Sequence, residues 1–189
     1  SLAFWRWYLA AMVLLPFAWK KAAREWRTVL THWKVMVLLS ITGISIFNTL
    51  LYASVQTTTA INAALIQTVM PAVIIIFSRL IFNEKLRTVQ ALGVTVSMAG
   101  ALVVILRGEV SNLLQLAFVR GDLLMFMAIF FYAHYSVYLR KRPAMHPISF
   151  LFYLMVIGSL GLLPVYLWEG LNHSSPNLDT TAALSILYF

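Results

Sequence analysis

The chain has 189 residues, of which 61% are hydrophobic and only 11% are charged. Soluble domains average about 45–50% apolar and about 25% charged residues, so this composition excludes an ordinary soluble domain. The net charge of +8 comes from basic residues grouped in short loops, and we therefore expect no nucleic-acid binding. Because the chain has no Cys, disulfides and thiolate zinc sites are excluded.

Apolar segments long enough to cross a membrane, about 20 residues each, follow one another along the chain. They predict seven spans, at residues 1–19, 35–54, 59–82, 88–106, 122–139, 148–168 and 182 onward. The first and last spans are incomplete, so we expect the chain to be an internal part of a larger protein.

Two amphipathic segments are predicted between spans. KKAAREWRTVLTHWK (residues 20–34) combines basic residues with Trp26 and Trp33, which predicts a short separate segment lying along the cytoplasmic membrane surface. NLLQLAFVR (residues 112–120) predicts a similar segment on the opposite side of the membrane.

Basic loops alternate with loops that carry few Lys or Arg residues. The basic loops are residues 20–34, 83–87 and 140–147, whereas residues 54–59 contain neither Lys nor Arg. The positive-inside rule places the basic loops in the cytoplasm. We therefore expect a multi-pass protein of the cell (inner) membrane, with the lipid bilayer as a partner.

A short internal repeat accompanies this alternation. Phe4, Leu14, Leu15 and Pro16 recur 148 residues later as Phe152, Leu162, Leu163 and Pro164, in a span that runs in the opposite direction. Inverted repeats are typical of secondary transporters.

Several motifs along the chain occur in an order that resembles one family of membrane proteins. FWRWYLAAMVLLP (residues 4–16) resembles the second helix of that family, the EamA-type proteins of the drug/metabolite transporter superfamily. Residues 50–105 resemble its third to fifth helices, through Pro71, NEKL, Gln90-x-x-Gly93 and Gly100. GDLLMFMAIFFYAHYSVYLRK (residues 121–141) resembles the start of its second repeat. The resemblance covers roughly helices two to seven of ten.

The resemblance implies an all-α bundle of inverted five-plus-five helix repeats around a cavity that opens to one side at a time. The chain would then contain a first repeat without its first helix (1–106), a linker (107–121) and the start of a second repeat (122–189). Leu154 stands where the second repeat would match Arg6, which is a departure from the repeat. Members of the family move amino acids, other metabolites, sugar nucleotides or drugs.

Polar side chains within the spans are the candidates for lining a solute cavity: Asn48, Tyr52, Gln67, His134, Tyr135 and Arg6. Neutral amides and hydroxyls still need a hydrogen-bond partner in hydrocarbon. A neighbouring helix satisfies such groups as well as a water-filled cavity does, so packing is the alternative for each of them. Arg6 lies near the outer boundary, where its guanidinium can reach lipid head groups; the alternative is contact with an anionic group of a substrate.

Small residues and prolines predict packing and hinge positions. Gly93, Ser97 and Gly100 share one helix face, which allows the close approach of another helix, either within the repeat or in a homodimer. Pro71 and Pro164 each free a backbone carbonyl and are candidates for hinges or for ordinary kinks.

All six acidic residues lie at span ends or in loops. Asp122 follows Gly121 at the start of a span, which predicts an N-cap. Glu84 lies in a basic loop and is predicted to pair with Lys85, Arg87 or the N-terminus of the next helix. We therefore expect that no carboxylate of this chain carries a coupling proton.

These observations predict a membrane secondary transporter of a small organic solute, with export as the expected direction. A non-transporting scaffold or channel subunit is one alternative. An intramembrane enzyme is the other, although the chain has neither an HExxH motif nor a Ser/His/Asp set. We expect no cofactor and no metal, and the mainly neutral interior favours a neutral or zwitterionic solute over a polyanion.

Overall fold

The computed structural model describes residues 2–84, 87–105 and 119–172. These residues form six helices: α1 (Leu2–Thr31), α2 (Trp33–Val55), α3 (Ala60–Phe82), α4 (Thr88–Ile105), α5 (Arg120–Tyr138) and α6 (Pro147–Asn172). No strand occurs in these three ranges. The protein is therefore an all-α, multi-pass helical bundle, as the sequence predicts.

Among the described residues, four helical segments are long and apolar enough to cross a membrane: α2, α3, α5 with the short turn after it (Arg120–Lys141), and most of α6 (Pro147–Gly170). A shorter apolar helix covers Thr88–Val103 within α4. α1 is not among the four. The spans at residues 1–19 and 88–106 stay predictions, and the one from 182 onward lies outside the described residues.

The prediction of a separate segment over residues 20–34 is wrong, because α1 continues without a break to Thr31. The Ala, Lys, Arg and Glu residues that follow Trp19 are strong helix formers, and neither Gly nor Pro interrupts them. The chain turns at His32, and α2 begins at Trp33. The other predicted surface segment, residues 112–120, lies outside the described residues except at its last two positions.

Two of the crossing helices contain an irregular turn. In α2, a π-helical turn (Ile41–Ile46) separates two α-helical segments, Trp33–Ser40 and Phe47–Val55. In α3, one α-helical segment ends at Gln67, and the next begins at Met70 with Pro71 in its first turn. Proline has no N–H to donate to the carbonyl of Gln67, which accounts for a break at this point. α6, in contrast, stays helical through Pro164.

The helices belong to two compact units. The first unit contains residues 2–49 and 141–172, and the second contains the described residues from 50 to 140. In the first unit, α6 packs against α1 and against the first part of α2. In the second unit, α5 packs against α3, and α4 packs against the first half of α3.

The π-helical turn of α2 packs closely against α6 in the first unit. A Cβ atom at Gly158 would lie 2.7 Å from the side chain of Ile44, and one at Gly161 would overlap the hydroxyl of Ser45. That hydroxyl donates a hydrogen bond of 2.9 Å to the carbonyl of Gly158. Small residues allow such close approach within membranes, so these glycines set the distance between α2 and α6.

Candidate functional site

A buried carboxylate joins the first turn of α5 to the start of α3 in the second unit. Asp122 is only 1% exposed, and its carboxylate accepts hydrogen bonds from the hydroxyl of Thr58 and from the side-chain amide of Asn62. The backbone N–H of Val119 donates a third bond at 2.9 Å. Three donors compensate for the hydration that a carboxylate loses on burial. We refer to Thr58, Asn62, Val119 and Asp122 as the Asp122 cluster.

Gly121 brings α5 against the turn between α2 and α3. A Cβ atom at this position would lie 2.6 Å from the carbonyl oxygen of Ser54 and 2.8 Å from the backbone nitrogen of Thr58. Thr59 caps α3, because its hydroxyl accepts the backbone N–H of Asn62 at 3.2 Å. The polar turn SVQTTTAIN therefore packs directly onto the start of α5.

The prediction that Asp122 is the N-cap of its helix is wrong by three residues. α5 begins at Arg120, so Val119 is the N-cap and Asp122 is the third helical residue. From that position the carboxylate reaches back to the N–H of the N-cap residue, as the acidic residue of a capping box does. The capping role expected from the sequence is present, but it is exerted from within the first turn.

Four of the predicted cavity residues belong to the second unit. Tyr52, His134 and Tyr135 are half-buried, whereas Gln67 is exposed on α3. The ring of His134 lies 4.4 Å from that of Tyr138 and 6.4 Å from that of Phe77 on α3. The structure therefore places His134 in an aromatic group between α3 and α5, which agrees with the packing alternative, and leaves the Gln67 amide accessible.

The other two predicted cavity residues belong to the first unit. Asn48 is buried, and its side-chain amide donates to the carbonyl of Ile44 at 2.7 Å, within the π-helical turn. Arg6 is half-buried in the first turns of α1, where the nearby ring of Phe4 stacks on that of Tyr166 at a centroid distance of 4.9 Å. A role in a cavity stays a prediction for both residues.

The ends of α3 and α5 are connected by an ion pair. Asn83 ends α3 in a left-handed conformation (φ 54°), which Asn tolerates better than most residues. The carboxylate of Glu84 then accepts hydrogen bonds from the hydroxyl of Ser78 and from the guanidinium of Arg140. The predicted pairing with Arg87 or with the N-terminus of the next helix is wrong, because Glu84 turns back towards α3. Lys85, the other predicted partner, lies outside the described residues. The Ser78 hydroxyl and Arg140 lower the pKa of Glu84 below its ordinary value.

The predicted packing and hinge residues are mostly exposed. Gly93, Ser97 and Gly100 lie on an exposed face of α4, and the space around both glycines is open. Pro71 is exposed at the break in α3, and Pro164 is exposed in the uninterrupted α6. Contact of the α4 face with another helix and hinge motion at the prolines stay predictions. Within the part of the chain that the structure describes, no three His, Asp or Glu side chains are grouped so as to hold a metal ion.

Comparison with known protein families shows to which family the chain belongs. The sequence model of the EamA-like transporter family matches residues 1–106 and 119–189. The chain belongs to the EamA-like transporter family. The family relationship that the ordered motifs of the sequence predict is thereby confirmed, and the many apolar helices are those of an EamA-like membrane protein.

Two curated relatives carry transporter names. The chain is 30% identical over 179 residues to "Uncharacterized transporter YyaM" of Bacillus subtilis (strain 168), covering 94% of this chain and 59% of that protein. It is 27% identical over 171 residues to an "Uncharacterized transporter" of Methanothermobacter thermautotrophicus, covering 90% of this chain and 50% of that protein. This EamA-like chain thus spans about half the length of both relatives. No solved structure matches it significantly.

The distant partners of two buried polar groups, the Asp122 carboxylate and the Ser45 hydroxyl, are not predictable from the sequence of this EamA-like chain. Thr58 and Asn62 bind Asp122 across more than 55 positions of the sequence, and Ser45 binds Gly158 across 113. The only local signal was the density of Thr, Ser and Asn beside a charge-free turn. Sequence spacing carries no information on which distant group such residues will contact.

Proposed function

We propose that the protein is a carrier that moves a small organic solute across the cell membrane by alternating access, with export as its direction. The observation that carries the proposal is membership of the EamA-like transporter family, with the family match extending over most of the chain. The transporter names of both relatives support the same class of function.

The polarity of the spans supports a neutral or zwitterionic solute. Gln67 is an exposed amide in a helix long and apolar enough to cross a membrane. An amide in that position needs water or a polar partner, because an unpaired polar group is costly in hydrocarbon. A hydrated solute cavity supplies both, and Tyr52 and Tyr135 are half-buried residues with a hydroxyl in the same unit.

The acidic residues support transport without a coupling carboxylate in this part of the protein. The carboxylate of Asp122 is engaged by three donors, and that of Glu84 lies at a helix end in an ion pair. Proton-coupled carriers usually hold an ionisable group at depth, with access to the transport pathway. We expect exchange or facilitated diffusion, or a coupling group in another part of the protein.

Flux measurements on the protein expressed from its complete reading frame test the proposal. Purified protein in liposomes should give saturable uptake of at least one labelled solute from a panel of neutral, zwitterionic and anionic metabolites. If no member gives saturable uptake while the protein remains folded, the proposal fails; hydrolysis of a panel member or a stable partner complex would then favour the enzyme or the scaffold. If flux depends on pH and Asp122→Asn or Glu84→Gln removes that dependence, the absence of a coupling carboxylate is contradicted.

A further inference from the structure

α1 is longer than a membrane crossing requires, and its second half carries most of its charge. α1 has 30 residues and is about 45 Å long, whereas the hydrocarbon core is about 30 Å thick. With the span predicted at residues 1–19 close to the membrane normal, roughly ten residues of α1 lie outside the hydrocarbon. Apart from Arg6, the charged residues of α1 begin at Lys20 and end at Arg27, so the part outside the hydrocarbon is the C-terminal part of the helix.

The start of α2 determines where this excess lies. Only His32 separates α1 from α2, and α2 is a candidate span of 23 residues beginning at Trp33. A crossing needs about 20 residues, so Trp33 cannot stand far outside the membrane boundary. The turn at His32 therefore places the end of α1 near the same boundary. Residues 20–31 consequently lie in the head-group region. Their charges exclude the hydrocarbon, and the start of α2 at the membrane boundary excludes bulk water far from the membrane.

The exposed side of this segment is divided into two stripes. Ala18, Ala22 and Val29 are the buried residues of the second half of α1. The exposed side carries two series of residues at intervals of three and four positions. The basic series contains Lys20, Arg24 and Arg27, and the mainly aromatic series contains Trp19, Ala23 and Trp26, followed by Leu30. Residues three and four apart share a helix face, so a basic stripe lies beside an aromatic one.

The turn into α2 continues both stripes. Trp33 and Lys34 are exposed, and the ammonium of Lys34 lies 5.9 Å from the centre of the Trp33 ring. The guanidinium of Arg27 lies 5.7 Å from the centre of the Trp26 ring. Lys21 is not part of this surface, because its ammonium lies 2.8 Å from the ring of His146. We call the exposed residues Trp19, Lys20, Arg24, Trp26, Arg27, Leu30, Trp33 and Lys34 the α1 interfacial face.

We propose that the α1 interfacial face binds the head groups of anionic phospholipids in the cytoplasmic leaflet. Guanidinium and ammonium groups bind phosphate oxygens with charge-assisted hydrogen bonds, and Trp rings favour the depth at which the head groups meet the acyl chains. Four cations on one exposed surface complement an anionic leaflet rather than a zwitterionic one. This binding goes beyond the proposed transport function and does not depend on the solute.

Lipid binding to the full-length protein in detergent tests the proposal, with bound phosphatidylglycerol and phosphatidylcholine counted by native mass spectrometry. The unmodified protein should bind phosphatidylglycerol at least tenfold more tightly than phosphatidylcholine. The triple variant Lys20→Gln, Arg24→Gln and Arg27→Gln should lose at least tenfold in phosphatidylglycerol affinity, with unchanged phosphatidylcholine binding. Inorganic phosphate should not compete, because it cannot engage the aromatic stripe.

The control variant removes the same number of charges from exposed positions elsewhere, through Arg79→Gln, Arg87→Gln and Arg120→Gln. It should change phosphatidylglycerol affinity less than twofold. Equal losses in the two triple variants, or no loss in the first, would overturn the proposal. The unmodified protein gives an answer that does not depend on variant folding: raising the salt concentration from about 0.01 to 1 M shortens the Debye length from about 30 to 3 Å. Phosphatidylglycerol affinity should then fall at least tenfold, and an unchanged affinity would also overturn the proposal.

Discussion

At the residue scale, the buried Asp122 carboxylate needs hydrogen-bond donors from several parts of the chain. It is buried at the start of α5, and it binds groups on α3, on the turn before α3 and on the segment before α5. A buried polar group is tolerated only when its hydrogen bonds are made. Removal of the carboxylate would therefore leave each donor of the Asp122 cluster without this hydrogen bond, and removal of a donor would leave the carboxylate with one bond fewer.

Truncation of the Asp122 side chain should destabilise the protein measurably. Asp122→Ala leaves the Thr58 hydroxyl, the Asn62 amide and the Val119 N–H without their acceptor. We expect the free energy of unfolding to fall by about 1–3 kcal/mol, the usual cost of unsatisfied buried groups. Thermal unfolding in detergent measures it, with Gln56→Ala at an exposed position of the same turn as the control. Equal stability of the two variants would show that the Asp122 cluster does not hold the turn to α5.

Gln67 is the residue at which the proposed solute cavity is tested most simply. If its amide contacts the solute, Gln67→Leu removes one hydrogen bond, which corresponds to an increase in KM of about two- to tenfold. Ile76→Leu changes another exposed position of the same helix and should leave KM unchanged. Initial rates of solute uptake into liposomes measure both. An unchanged KM for Gln67→Leu would support the alternative that this amide packs against a neighbouring helix.

At the element scale, close packing of α2 against α6 depends on glycine. Gly158→Ala would force a Cβ atom to within 2.7 Å of Ile44, so the π-helical turn or α6 must shift. Overpacking of this kind costs about 1–3 kcal/mol of stability, which thermal unfolding detects. Gly170→Ala, in the same helix but in open space, is the matched control and should be neutral or slightly stabilising. Two variants of equal stability would contradict the close contact.

The ion pair between the ends of α3 and α5 makes a pH-dependent contribution to stability. The pKa of Glu84 is lowered from its ordinary value of 4.5 by the Ser78 hydroxyl and by Arg140. A lowered carboxylate pKa in the folded state adds stability above pH 4.5, and this contribution is lost as the pH falls through the folded-state value. Unfolding temperatures of the unmodified protein and of Glu84→Gln should therefore differ at neutral pH and converge in acid. A difference that stays constant down to pH 3 would contradict this interpretation.

Local chemistry made part of this arrangement predictable from the sequence. The apolar runs of the sequence predict the lengths of α2, α3, α5 and α6. Pro71 marks the break in α3, because proline lacks an N–H. The continuity of α1 is harder to predict, because a charged segment beside Trp residues is typical of a separate surface element even though its residues are good helix formers. The partners of Asp122 and Glu84 were missed because both are distant in sequence, at Asn62 and Arg140.

At the scale of the whole molecule, the family relationship and the pattern of apolar helices support one account of function. The EamA-like match extends over residues 1–106 and 119–189, while the chain spans about half the length of its curated relatives. Fold alone does not name the solute, because one architecture serves many substrates.

Counterflow in liposomes tests alternating access most directly. A carrier returns its binding site faster when the opposite side also supplies solute, whereas a channel has no site that must return. With the full-length protein and a transported solute, preloading liposomes with unlabelled solute should raise the initial uptake of labelled solute several-fold and cause a transient overshoot. Uptake that rises linearly with concentration and is unaffected by preloading would contradict the account and indicate a channel.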